Sequence, residues 1–209
     1  MKKSIIATIV GLSFVFVANA QLKGVTSSNE AIVKNLKNGN ASVTSITSKF
    51  TETQKLSFMN SATEKKGDFY FVKPDQLSML YTNDEVMIIN KENVTIGKKG
   101  KVRNVKSKNK QVEALAQTLL SCMSGDVTSL NGTLESAKQD AKEVTLKVNV
   151  NFTVGKSMIS KLELKYDKSD MTFKSLKMIQ SDGSYQLYEL QGKAKNKEVK
   201  QSVFTYSKK

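Results

Sequence analysis

Few side chains in this chain could do chemistry, and histidine is not among them. Its absence removes the commonest general base and metal ligand, together with every Ser–His or Cys–His nucleophile pair. Carboxylates are present, for example Asp68, Asp75, Asp84 and Glu85. They fall at turns or on wet strand faces, and no two stand out as a buried acid/base couple. The lone cysteine, Cys122, sits in the apolar stretch Leu119-Leu120-Ser121-Cys122-Met123, where a thiol behaves as a small hydrophobe. Gly97-x-x-Gly100 fits a hairpin turn better than a phosphate-cradling loop. Neither catalysis nor a cofactor or metal is expected. The apolar inventory points elsewhere. Beyond Met1 the chain carries Met59, Met79, Met87, Met123, Met158, Met171 and Met178, and flexible thioethers let a surface adapt to an apolar partner.

The elements that must position these residues are mostly strands. Ile46, Phe50, Leu56 and Phe58 share one parity, while Lys49, Thr51, Thr53, Lys55 and Ser57 share the other. Such period-two alternation makes one face dry and one wet. Glu52 and Gln54 fall on the apolar parity and break the pattern. Residues 63–72 return as a second strand, and Pro74 marks a strand end because it cannot donate to a ladder. Leu77, Met79 and Tyr81 alternate again up to a turn at Thr82-Asn83-Asp84. Short strands are expected over 85–90, 92–97 and 101–106. In the second half, Leu146, Val148, Val150 and Phe152 alternate with polar neighbours, as do Leu162, Leu164 and Tyr166. A hairpin over 171–180 and 184–191 turns at Asp182-Gly183, and residues 201–206 can supply a last strand.

Two segments read as helices. Ser27-x-x-Glu30 has the form of a capping box ahead of Ala31, Ile32, Val33 and Leu36, with Gly39 as the stop. Over 109–124, Val112, Leu115, Ala116, Leu119, Cys122 and Met123 fall at helical spacing, and Gly125 ends the run. The expected fold is mainly β: a single strongly curved antiparallel sheet, an unclosed β-barrel of about ten strands. Many strands with one apolar face curl, and the two helices are left to cover that face as a lid or plug.

Residues 1–20 read as a cleaved secretory signal peptide. Lys2 and Lys3 precede an uncharged apolar run from Ser4 to Val17, and Ala18-Asn19-Ala20 is a small-x-small cleavage pattern. The apolar run is shorter than the ~20 residues of a spanning helix. The mature chain, 21–209, is therefore expected to be one exported, soluble domain. With one cysteine it has no internal disulfide and depends on its core. Losing Lys2 and Lys3 lowers the formal charge of +14 by two. The lysines are spread along the chain without interleaved aromatics, so nucleic acid is not the expected partner. The densest run, Lys98 to Lys110, reads as a solvated hairpin face or as a surface attracted to anionic lipid or an acidic partner.

Four pieces, in order, resemble the N-terminal half of the LolA-type periplasmic lipoprotein carriers. Phe50-Thr51-Glu52-Thr53-Gln54 is similar to that family's F-T-x-Q strand with one residue inserted, and Gly67-Asp68-Phe69-Tyr70-Phe71 to its G-x-hydrophobic-aromatic strand. Lys73-Pro74-Asp75-Gln76-Leu77 is similar to its R-P-x-x-hydrophobic turn, with Tyr81 following at the expected interval. The resemblance is clearest over 42–125. It implies a periplasmic chaperone, acting as a monomer and without catalysis. Such a carrier takes acylated lipoproteins from an inner-membrane ABC-type releasing complex to an outer-membrane acceptor or membrane surface. It also implies an acyl-chain site. Leu77 corresponds to the hydrophobic residue of the R-P-x-x turn, with Met79 and Tyr81 on its face, and Ile46, Phe50 and Phe58 line the same concavity. Leu115, Leu119 and Met123 press on it from the lid. Lys73 stands where some members have an Arg that hydrogen-bonds the lid, and family members often carry a Trp near Met79. A module of the same fold serving a glycolipid, another amphiphile or a sensing role is the alternative.

Overall fold

The computed structural model of the chain describes residues 22–98, 100–106 and 110–206. The expected leader, 1–20, lies outside them. Eleven strands form one antiparallel sheet. The first wing comprises β1 (Ser45–Lys55), β2 (Thr63–Val72), β3 (Gln76–Tyr81), β4 (Glu85–Asn90), β5 (Asn93–Lys98) and β6 (Lys101–Lys106). The second comprises β7 (Thr133–Gln139), β8 (Glu143–Val154), β9 (Ser157–Asp167), β10 (Phe173–Gln180) and β11 (Tyr185–Lys195). Sheet order is β6-β5-β4-β3-β2-β1-β11-β10-β9-β8-β7. Two meanders therefore meet where β1 pairs with β11, and the sheet stays open between β6 and β7.

Two helices, α1 (Ser27–Gly39) and α2 (Lys110–Ser124), cover the apolar face. Both sit on the second wing: α1 packs on β7, and α2 on β8 and β10. Their buried side chains join those of both wings in one apolar core. Leu36, Leu119, Cys122 and Met123 belong to it together with Phe50, Leu77, Leu146, Leu164 and Phe173. The Tyr166 hydroxyl reaches into this core and donates to the Cys122 carbonyl at 3.0 Å. Burial pushes the Cys122 thiol far up, so it stays protonated and inert.

Several sequence expectations are corrected. The cap of α1 is Thr26, whose backbone N–H donates to Asn29 Oδ1 at 2.8 Å, one residue upstream of the expected Ser27-x-x-Glu30 box. β7 was not anticipated, because of its seven residues only Leu134 is buried. As an edge strand it needs few apolar contacts, and Lys23 pairs with Thr133 beside it, partly covering that edge. Residues 201–206 do not form a strand. Gln201–Phe204 is a 3-10 turn that buries Phe204 on the opposite face of β3 and β4, and the Phe204 carbonyl accepts from Asn90 Nδ2 at 3.2 Å. In β8 the alternation shifts between Asn149 and Phe152. Leu146 and Val148 are fully buried, whereas Val150 and Phe152 are only half-buried.

Candidate functional site

Strand register explains why the sequence motifs stand together. Gly67 pairs with Phe50 on one side and Tyr81 on the other. A Cβ at Gly67 would come within 2.7 Å of the Phe50 ring and 2.2 Å of the Leu80 carbonyl oxygen. The missing side chain lets the rings of Phe50 and Tyr81 close over the strand, edge to face, with centroids 5.0 Å apart. Along the same face run Ile46, Phe71, Leu77 and Ile89, all fully buried, and Met79, 2% exposed.

Six of the nine residues expected at the acyl site are buried in one continuous core: Ile46, Phe50, Leu77, Met79, Leu119 and Met123. Leu115 and Tyr81 are half-buried and pack against it. Phe58 is the exception. β1 ends at Lys55, the chain turns with the Met59 N–H donating to the Leu56 carbonyl at 3.1 Å, and Phe58 is left 80% exposed at the tip. It does not line the concavity, because the alternation that placed it there stops at the end of the strand. α2 packs mainly on β8 and β10, and its Leu119 and Met123 share one core with Leu77.

The helices are anchored at one end of the sheet. Asn40, fully buried just past α1, donates from Nδ2 to the carbonyls of Leu36 at 2.9 Å and Met171 at 2.6 Å. Gly125, which ends α2, lies against the same side chain. Its φ of +72° and a Cβ-to-Nδ2 approach of 2.5 Å leave no room for a larger residue. Lys73, at the position of the resembling family's arginine, donates from Nζ to the Asn40 carbonyl. The β2–β3 turn is thus tied to the end of α1 by one lysine bond in place of a guanidinium fork. Burial holds the Lys73 ammonium below its usual range, and the charge of Asp126 partly offsets this. Lys37 of α1 pairs with Asp126 at 3.0 Å.

At the opposite end lies an open groove of about 370 Å³, lined by Glu52, Lys65, Tyr81, Glu85, Val86, Met87, Ile96, Gly97, Lys98, Gln186 and Tyr188. Glu52, the residue that broke the apolar parity of β1, is only 5% exposed. Its carboxylate accepts from the Tyr81 hydroxyl and, at 2.9 Å, from Gln186 Nε2. Burial pushes the Tyr81 hydroxyl far above its usual range, with the neighbouring Tyr188 and Glu52 adding to it, so Tyr81 remains a donor. Lys65, directly across from Glu52 in register, turns instead to Glu85 at 2.6 Å. Sequence reasoning treated Glu52 as an imperfection; its inward parity was the signal for this groove.

The family model for the outer membrane lipoprotein carrier protein LolA matches residues 41–207. No curated protein matches the chain. Among solved structures, a conserved protein from Thermus thermophilus is 10% identical with a TM-score of 0.50, the match covering 87% of this chain and 95% of that one. A LolA superfamily protein from Nitrosomonas europaea is 7% identical with a TM-score of 0.44, over 88% of this chain and 99% of that one. A DUF1329 family protein from Desulfovibrio piger is 10% identical with a TM-score of 0.46, over 83% and 97%. Among the described residues no helix is long and apolar enough to cross a membrane. With the family model spanning both wings of the sheet and α2 between them, the chain belongs to the LolA family.

Proposed function

We propose that the chain is an exported periplasmic carrier that shields the acyl chains of lipoproteins between the inner and outer membranes, acting as a monomer and without catalysis. The observation that carries this reading is the LolA match over 41–207 on an unclosed sheet whose apolar face is covered by two helices rather than by a second sheet. An acyl chain gains ~0.8 kcal/mol per buried methylene, on the order of 10 kcal/mol for a long chain before ordering costs. A cargo with two or three chains cannot cross water bare, and an apolar face under a movable cover meets that demand.

Ile46, Phe50, Leu77, Met79, Leu119 and Met123 fill the space between sheet and helices. Cargo must therefore displace α2 and replace its contacts with acyl methylenes. Leu115 and Tyr81, at the border of this core, are the first residues such a chain would meet. In this reading the domain spans 21–209 after removal of a leader at 1–20. It receives cargo from an ABC-type releasing complex and yields it to an outer-membrane acceptor or surface. The test is co-purification of the mature chain with an acylated lipoprotein and with the same lipoprotein lacking its acylated cysteine. Retention of the acylated form alone is the expected result. Equal retention, or none, would contradict the proposal.

A further inference from the structure

The groove built around Glu52 is not explained by acyl-chain burial. A site meant only for methylenes gains nothing from a carboxylate that is 5% exposed, because removing such a group from water is costly without compensation. The two partners it has, Tyr81 and Gln186, are neutral donors, one to each oxygen. A carboxylate offers about four acceptor positions, so both oxygens keep a free one. Among the described residues no lysine or arginine forms an ion pair with Glu52. Lys65, the cation closest by register, sets its ammonium 5.8 Å over the centre of the Tyr81 ring but is held by Glu85 at 2.6 Å, and Lys98 stands exposed at the rim. Glu52 is thus left without an ion pair in a chain with 33 basic residues against 19 acidic ones.

The surroundings match one kind of ligand. Tyr188 pairs with Glu52 across β1 and β11, and Tyr81 lies on the other side, so aromatic rings flank the carboxylate. Aromatic faces and a carboxylate together favour an ammonium group. Met87 and Ile96 continue the lining, and the Tyr81 ring passes directly to Phe50 and the apolar core. A ligand with its cationic head at Glu52 would lay the start of its tail against Met87 and Ile96, at the border of the apolar core.

Building on the carrier reading, we infer that the Glu52 groove is a head-group site that selects amphiphiles bearing a primary ammonium, with Glu52 accepting from the ammonium and Tyr81 and Tyr188 flanking it. Neutral or anionic amphiphiles of the same chain length lack that contact.

The test compares dodecylamine with dodecanol and dodecanoate as competitors of a bound fluorescent fatty-acyl probe, using wild-type protein and Glu52→Gln at neutral pH. One charge-assisted hydrogen bond to a buried carboxylate corresponds to about tenfold or more in affinity. Wild type is expected to prefer dodecylamine over dodecanol by at least that factor, and the Gln variant to lose the difference. Equal affinity of wild type for amine and alcohol overturns the inference while leaving the carrier reading intact. Preference for dodecanoate overturns it as well and transfers the selectivity to Lys65 and Lys98. Failure of the protein to bind the probe or any of the three competitors overturns both. Because the wild-type ratio alone decides the matter, the outcome does not depend on how well the variant folds.

Discussion

Individual polar side chains do more here than their number implies. Asn40 joins the end of α1 to the β9–β10 turn through the carbonyls of Leu36 and Met171. Asn40→Ala would remove both side-chain bonds while the Leu36 carbonyl keeps its bond from the residue-40 backbone N–H at 3.2 Å, and it is expected to cost about 1 kcal/mol of stability, the usual net worth of a lost hydrogen bond; urea unfolding of the two proteins checks it. Asp170 gives a pH signature. Desolvation alone would raise its pKa, but the hydroxyl and N–H of Thr172 and the ammonium of Lys195 at 2.9 Å outweigh it and bring the group to about 2. A carboxyl lowered on folding stabilises the protein above its unfolded value near 3.8, and that stabilisation disappears as pH falls toward 2. With solvent screening the contribution is ~1 kcal/mol, so Asp170→Asn should flatten the loss of stability between those pH values by that amount. A variant with an unchanged profile would count against the assignment. The sequence made the apolar residues legible at this scale, since Leu77, Met79, Phe50 and Ile46 all stand on the buried face that alternation assigned. It misplaced Phe58, because alternation carries no information about where β1 stops.

Elements were legible where both faces of a strand differ. β2, β4 and β6 match their expected spans residue for residue, and the hairpin at Asp182-Gly183 forms as expected. β7 and the tail at 201–204 were not legible. One needs a single buried residue, and the other buries Phe204 on the far face of the sheet, so neither leaves a period. The β1–β2–β3 row rests on Gly67. Gly67→Ala would drive a methyl into the Leu80 carbonyl and the Phe50 ring, which forces the strands apart and should cost about 2–3 kcal/mol, in the range of overpacking. Near-UV circular dichroism should show the Phe50–Tyr81 contact weakened, and an unchanged spectrum and midpoint would refute the account of this row. Lys73→Met tests the tether to α1. With the bond to the Asn40 carbonyl gone, the midpoint should shift by about 1 kcal/mol. Uptake of a fluorescent fatty-acyl probe should become faster. Unchanged uptake would mean that α1 is not part of the moving cover.

For the whole molecule, what matters is that the sheet does not close. Two meanders joined at β1 and β11 leave an open seam between β6 and β7, and the chain crosses from one to the other through α2. Buried side chains of both wings and both helices share one apolar core, so in the proposed carrier the cover must move to admit an acyl chain. At the edge of the first wing Lys98, Lys101 and Arg103 are exposed, and charged side chains there blunt edge-to-edge pairing. The rest of the run up to Lys110 lies partly outside the described residues. The central claim, that this is a carrier of acylated cargo, is tested most directly by native mass spectrometry of protein purified from the periplasm, with extraction and identification of what it holds. The account predicts a bound acylated lipoprotein, displaced by added fatty-acyl probe. An empty protein that also refuses the probe would contradict it and would leave the covered apolar face as nothing more than a core.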